Sequence, residues 1–456
     1  MKKMIKEVLI ILFWIAVWAA VALAADNKIL MVTPLQAARE LVFLLKEASF
    51  YKTVAMSLLR IGIGFSAGFG IAVLLAAVSY RFPVMEECLA PVISLLKSIP
   101  VASFVVLLLI WWGSSLLATA VSFLVVLPNI YIGTLEGLKN VDRDIVEVGK
   151  VFRLPFSSRF FYIYRPALRP YIYSSMKVAL GMSWKSGVAA EVIGMTDFSI
   201  GGELYLSKVY LNTAGVFAWT AVVIFLSFLF ERNVLWVTGR FFRWQPACRK
   251  PGVKSRRQQV KRRKGERGRR LPQNVTAGEV AVTDDHGFVL ENVCKRYHDI
   301  TVFEDRNDSF EQGHVYYLRE PSGSGKTTLL RLLAGLEQPD SGRVKTAASC
   351  SMVFQEDRLC RGYSAVKNVE LVTGNAVTAR ESLKQLLESD SLDKPCEELS
   401  GGMKRRVALV RAMEADSDCV LLDEPFTGMD EETRTRAENY IRSRQNGRTL
   451  IIATHI

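Results

Sequence analysis

Residues 98–135 run for 38 positions without a charged side chain. As one helix that run would extend roughly 57 Å at 1.5 Å per residue, whereas the hydrocarbon core of a bilayer is about 30 Å thick. It therefore predicts two membrane spans, with Gly113-Ser114-Ser115 as the natural turn. Further apolar runs lie at 8–25, 61–80 and 209–230, and a weaker one at 171–192 is interrupted by Lys177, Lys185 and Glu191. Charges inside a span face a protein interior or a cavity. These three either touch an anionic solute or pair helix to helix. The expectation is six spans within residues 1–245.

Loop charges set the orientation. Lys2, Lys3 and Lys6 precede the first run. The long segment 136–170 carries Lys139, Arg143, Lys150, Arg153, Arg159, Arg165 and Arg169, and Arg232 and Arg240 flank the last run. The positive-inside rule then places both ends in the cytoplasm of a multi-pass plasma-membrane protein. The first run, ending Ala22-Leu23-Ala24-Ala25, also reads as a cleavable signal peptide. Retention is expected, and five remaining spans would leave the C-terminus inside as well.

Half the residues are hydrophobic and mean hydropathy is positive, which agrees with spans. The net charge of +13 is local: residues 249–270 hold twelve Lys or Arg against Glu266, a net +11. That stretch has no aromatic residue and no nucleic-acid-binding fold around it, so it reads as a basic linker facing anionic lipid, with no nucleic-acid partner. The seven cysteines are scattered and form no C-x-x-C pair, so neither a disulfide framework nor a zinc site is indicated.

From about Phe288 short hydrophobic runs alternate with polar helical stretches, the pattern of a soluble α/β domain. Its centre is Glu320-Pro321-Ser322-Gly323-Ser324-Gly325-Lys326-Thr327-Thr328, between a strand-like run and a helix-like run. That is the context of a P-loop, in which backbone N–H groups and a helix N-terminus surround phosphate oxygens. Lys326 would neutralise the β- and γ-phosphates of ATP, and the Thr327 hydroxyl would reach Mg²⁺. Glu320 stands where the motif has glycine. Either its side chain points away at some loss of affinity, or ATP binding is impaired. Downstream, Cys419-Val420-Leu421-Leu422-Asp423-Glu424 is an apolar strand ending in two carboxylates. Asp423 would hold Mg²⁺ and Glu424 would act as general base on the attacking water.

The segment Leu399-Ser400-Gly401-Gly402-Met403-Lys404-Arg405-Arg406 resembles the signature of ABC ATPases. The resemblance implies that Ser400, Gly401 and Gly402 act in trans on ATP held by a second subunit, hence a dimer of chains or of homologous subunits. It also implies that Tyr297 stacks on adenine and that Gln355 is the Q-loop residue sensing Mg²⁺. Asp430 would be the D-loop aspartate and His455 the switch histidine at the γ-phosphate. The membrane half resembles permeases of the nitrate, sulfonate and taurine importer group. The carriers are Glu147-Val148-Gly149-Lys150, Arg165-Pro166-Ala167-Leu168-Arg169-Pro170 and Ala189-Ala190-Glu191-Val192-Ile193-Gly194. The first of these is similar to the coupling-helix motif that docks beside the Q-loop, although Arg153 stands where that motif has glycine.

The implied architecture is an all-α six-span permease domain (1–245), a basic linker (246–287) and an α/β P-loop NTPase domain (288–456). The family continues past the switch histidine with an acidic residue and further helix, so a sequence ending at Ile456 is either truncated or minimal. The implied function is ATP-driven import of a small organic anion such as a sulfonate, or of nitrate, delivered by an external binding protein. The rival reading is a nucleotide-binding regulator or inactive scaffold whose P-loop is impaired by Glu320.

Overall fold

The computed structural model describes residues 2–25, 30–243, 286–321, 323–346 and 349–454. They fall into two compact units, 1–140 with 167–244 and 141–166 with 245–456.

The first unit is helical. Its helices are α1 (Lys2–Ala25), α2 (Pro34–Leu44), α3 (Ala48–Arg81), α4 (Pro83–Ser98), α5 (Val101–Trp112) and α6 (Leu117–Lys139). Three more helices, in chain order α9 (Arg165–Gly194), α10 (Ile200–Val209) and α11 (Thr213–Arg243), complete it. Helix α6 is its centre, since 67% of its apolar stretch is buried against 33% for α3 and 28% for α11. Small residues allow that packing: a Cβ on Gly64 would stand 2.3 Å from the Thr119 carbonyl oxygen, and one on Gly68 3.0 Å from that of Phe123. The two glycines four apart bring α3 and α6 nearly backbone to backbone.

The uncharged run 98–135 does break at residues 113–116, as expected, but its first half is not a straight span. Helix α5 has 12 residues and meets α4 at 102°. Pro100 is the cause, because it lacks an N–H and forces Ile99 into extended backbone at ψ 129°. Among the described residues three helices are long and apolar enough to cross a membrane, and four if the bent pair counts as one. The other two expected spans, the first and the fifth in chain order, are the shorter apolar stretch Leu12–Ala25 of α1 and the 30-residue helix α9, which is too polar to qualify.

Glu191 takes the helix-to-helix alternative. It is fully buried, accepts from Ser57 Oγ at 2.8 Å and from the Gly201 N–H at 3.2 Å, and so ties α9 to α3 and α10.

The second unit holds two sheets. Strands β1 (His286–Tyr297), β2 (Ile300–Glu311) and β4 (Ser341–Thr346) form an antiparallel sheet in the order β2-β1-β4. Strands β3 (Val315–Leu318), β5 (Cys350–Val353), β6 (Cys419–Asp423) and β7 (Thr449–Ala453) form the order β3-β7-β6-β5, parallel throughout. Every residue of β6 and β7 is buried, as a parallel strand covered on both faces requires. Around it lie α12 (Lys326–Leu333), α13 (Ala365–Thr373), α14 (Ala376–Leu383), α15 (Gly401–Glu414) and α16 (Glu431–Arg444).

Two short helices upstream, α7 (Arg143–Val151) and α8 (Phe156–Arg159), belong to this unit although they lie between membrane helices in sequence. Val148, Val151, Phe152, Leu154 and Tyr162 share one hydrophobic core with Leu329, Met352, Val369 and Val407.

Candidate functional site

Strand β3 leads into the loop before α12, where Gly323 has φ +84° and Gly325 φ +91°. Both values lie in the left-handed region that glycine adopts without strain. A Cβ on Gly325 would also stand 2.5 Å from Val302 Cγ1 and 2.8 Å from the Phe303 ring, so β2 presses on the loop where it turns into the helix. Lys326, buried, donates from Nζ to the Glu320 carbonyl and, at 3.2 Å, to that of Pro321. It thereby ties both ends of the loop together. The Ser324 hydroxyl is buried without a hydrogen-bond partner among the described residues. Ser322 lies outside the described residues.

Glu320 does not have a positive φ, so no left-handed conformation calls for glycine there. Its Oε1 accepts from Arg306 Nη2 at 2.9 Å, and Arg306 also bonds Asp308 Oδ2 at 2.6 Å. The negative charge on the loop thus has a cation from β2 beside it.

Asp423, 1% exposed, ends β6 next to the start of α12. Burial pushes its carboxyl up from the usual carboxylate range and Glu424 adds to that, while the Thr327 hydroxyl, Arg405 and Lys326 work against it. Asp423 Oδ2 has no hydrogen-bond partner among the described residues. A buried carboxylate oxygen with an unused lone pair beside a threonine hydroxyl fits Mg²⁺, which takes few protein ligands and completes its shell with phosphate and water oxygens. No three His, Cys, Asp or Glu side chains cluster among the described residues, which leaves the remaining positions to such oxygens.

Glu424 follows at φ +48°, its N–H donating to the Ala453 carbonyl at 3.0 Å and its Oε2 accepting from Thr427 Oγ1 at 3.3 Å. Gln355, just past β5, has an exposed side chain. Tyr297, at the end of β1, donates its hydroxyl to Glu337 and lies against the Thr328 hydroxyl at the first turn of α12. Burial, then Glu337, push that phenol above its ordinary value.

Ser400 caps α15, its hydroxyl accepting from the Met403 N–H at 3.3 Å. A Cβ on Gly402 would stand 2.6 Å from the Gly428 carbonyl oxygen, whereas one on Gly401 would meet nothing within 4 Å. Gly402 therefore lies against the loop that ends in Asp430, which caps α16 by accepting from the Thr433 N–H at 2.8 Å. That hydrogen bond holds the Asp430 carboxyl below its usual range. The expected switch residue, His455, and linker positions 246–285 lie outside the described residues.

Four arginines carry contacts that the motif reading missed: Arg306, Arg331, Arg358 and Arg405. Arg331, on the P-loop helix, grips Glu147 of α7 with Nη1 at 3.1 Å and Nη2 at 3.0 Å. Arg358, in the segment after β5, reaches the same carboxylate at 2.5 Å and Asp144 at 3.0 Å. Burial works against the Glu147 carboxylate, yet the two guanidiniums outweigh it and hold its pKa below the usual range. In sequence nothing separates these arginines from ordinary solvated cations.

Residues 303–427 match the family described as ABC transporter, and residues 68–243 match the binding-protein-dependent transport system inner membrane component. Over 182 residues the chain is 39% identical to the aliphatic sulfonates import ATP-binding protein SsuB 1 of Rhodococcus jostii, covering 37% of this chain and 73% of that protein. It is 34% identical over 194 residues to the sulfate/thiosulfate import ATP-binding protein CysA of Xylella fastidiosa, covering 37% of this chain and 56% of that one. A dimeric structure of the ATP-binding cassette MJ0796 bound to ADP and Pi is 25% identical, with a TM-score of 0.35, over 37% of this chain and 88% of the other.

Proposed function

Because the chain belongs to the ABC transporter family, we propose that it is an importer subunit that hydrolyses ATP to move a small anion across the plasma membrane. The observation that carries this reading is the place of residues 141–166. They lie within the stretch that matches the inner-membrane component, yet they pack into the core of the ATPase unit, with Glu147 held by Arg331 and Arg358. Arg331 is five residues beyond Lys326 on one short helix, so a shift of the P-loop helix is passed directly to α7.

In this reading Lys326 neutralises the β- and γ-phosphates and the P-loop N–H groups bind their oxygens. Tyr297 stacks on adenine. Thr327 and Asp423 would hold Mg²⁺, assisted by Gln355; when bound it supplies charge neutralisation on the phosphates. Glu424 takes the proton of the attacking water, and His455 bonds the γ-phosphate. Ser400, Gly401 and Gly402 complete the site of a second subunit, with Asp430 at the junction, so the working unit is a dimer. Both termini are cytoplasmic, and an external binding protein delivers the solute. The sulfonate and sulfate importers among the relatives support a sulfonate-like anion. Arg306 beside Glu320, together with the unstrained backbone there, supports a P-loop that tolerates glutamate, against the inactive-scaffold reading.

The test is ATP turnover by the purified chain in lipid, with Glu424→Gln as the blank. Turnover above that blank, rising when the binding protein and a sulfonate are added, is expected. Turnover equal to the blank and restored by Glu320→Gly would put the regulator reading first.

A further inference from the structure

Arg405 sits on α15 five residues beyond Ser400 and is 2% exposed. Its guanidinium faces four backbone carbonyls from two different loops. Nη1 donates to Phe354 at 2.5 Å and to Gln355 at 3.1 Å. Nη2 donates to Asp423 at 2.5 Å and to Glu424 at 2.6 Å, and Nε reaches Glu424 again at 3.1 Å. Asp357 Oδ1 lies 3.5 Å from Nη1. The carbonyls belong to the ends of the parallel strands β5 and β6, where strand C-termini bring partial negative charges together. A guanidinium is the side chain whose planar fork of donors can serve several such acceptors at once.

Glu424 adds the reason for this arrangement. At φ +48° it occupies the left-handed region, which is strained for a side-chain-bearing residue. Its N–H is tied to Ala453 on β7 and its carbonyl to Arg405. The turn that aims its carboxylate is thus held from both sides, through its N–H by Ala453 and through its carbonyl by Arg405 together with Thr427, whose hydroxyl donates at 3.2 Å.

We propose that Arg405 is a positioning residue that sets the backbone of Gln355 and of Asp423-Glu424 relative to the signature helix. Any tilt of α15, whose N-terminus carries Ser400, is then passed to the general base and the Q-loop of the same chain. This rests on the ATPase reading above. It predicts that Arg405 governs the rate of hydrolysis and not nucleotide affinity, because neither Lys326 nor Tyr297 is among its partners.

The test uses the full chain in lipid, comparing wild type with Arg405→Ala and Arg405→Lys. Hydrogen exchange by mass spectrometry is expected to quicken about tenfold or more in peptides covering 354–357 and 423–429, and to stay unchanged in β3 and α12. A fluorescent ADP analogue should bind within about twofold of wild type. kcat for ATP should fall about tenfold or more in Arg405→Ala, since small misplacements of a reacting group have effects of that order. Arg405→Lys, with one ammonium for four carbonyls, should fall between. Unchanged exchange in the two loops overturns the proposal whether or not the chain hydrolyses ATP. Exchange that quickens throughout the unit, or ADP affinity that falls in step with kcat, also overturns it and assigns Arg405 to the fold as a whole. If Arg405→Ala binds no ADP, Arg405→Lys decides by the same comparison. A wild-type rate no higher than that of Glu424→Gln would sink the ATPase reading and leave the exchange result to judge Arg405.

Discussion

Glu320 and Arg153 are both departures from glycine, and they differ in kind. Glu320 lies in ordinary backbone and pairs with Arg306, so the difficulty there is electrostatic. Arg153 has φ +48°, a left-handed backbone that glycine adopts without strain and a side-chain-bearing residue does not. Two outcomes follow. Arg306→Ala leaves the Glu320 carboxylate unpaired near polyphosphate and should raise KM for ATP about fivefold, the effect of roughly 1 kcal/mol. Adding Glu320→Gly to that chain should recover most of the loss, and the double-mutant comparison of KM checks it. Arg153→Gly removes left-handed strain and should stabilise the ATPase unit by about 1 kcal/mol in denaturant titration. A stability loss there would contradict the strain argument. At this scale the P-loop was legible in the sequence, because its residues are contiguous. The arginines were not legible, since their partners lie up to 211 positions away.

Among the elements, α7 and the bent pair α4–α5 show where pattern reading stops. A helix forms where the coupling motif is expected and is capped by Asp142, whose carboxylate accepts from the Asp144 N–H at 2.9 Å. Its charge clamp yields a direct outcome. Glu147→Gln removes a carboxylate held by two guanidiniums, interactions worth about 1.5–3 kcal/mol when charge-assisted. Solute uptake by proteoliposomes should then fall roughly tenfold while ATP turnover falls far less. Equal losses in both would place Glu147 in catalysis or folding and not in coupling. For α4–α5, Pro100 was visible in the sequence, but an uninterrupted apolar run reads as a straight span until the bend is seen. The helices α2, α4 and α10 were missed because they are short and flank longer apolar runs.

Across the whole molecule, the exposed Ser400 and the open space at Gly401 bear on the trans reading. Chains carrying Lys326→Ala and chains carrying Ser400→Arg should each be inactive alone. Mixed and allowed to exchange, they form dimers with one intact composite site, and turnover should rise well above either parent. No gain on mixing would mean that signature and P-loop act within one chain. What the sequence by itself determined is the division into apolar spans and an α/β nucleotide-binding half, together with the order of the phosphate-handling motifs. Those signals are written in local periodicity and in short motifs of contiguous residues. Only the tertiary structure decided that residues 141–166 fold with the ATPase unit, that Glu191 is a buried tie between helices, and that Arg405 gathers the loops at Gln355 and at Asp423-Glu424. The physical reason is that each of these rests on a partner distant in sequence, polar or apolar, and a local pattern of hydrophobicity carries no information about which distant group a side chain will meet.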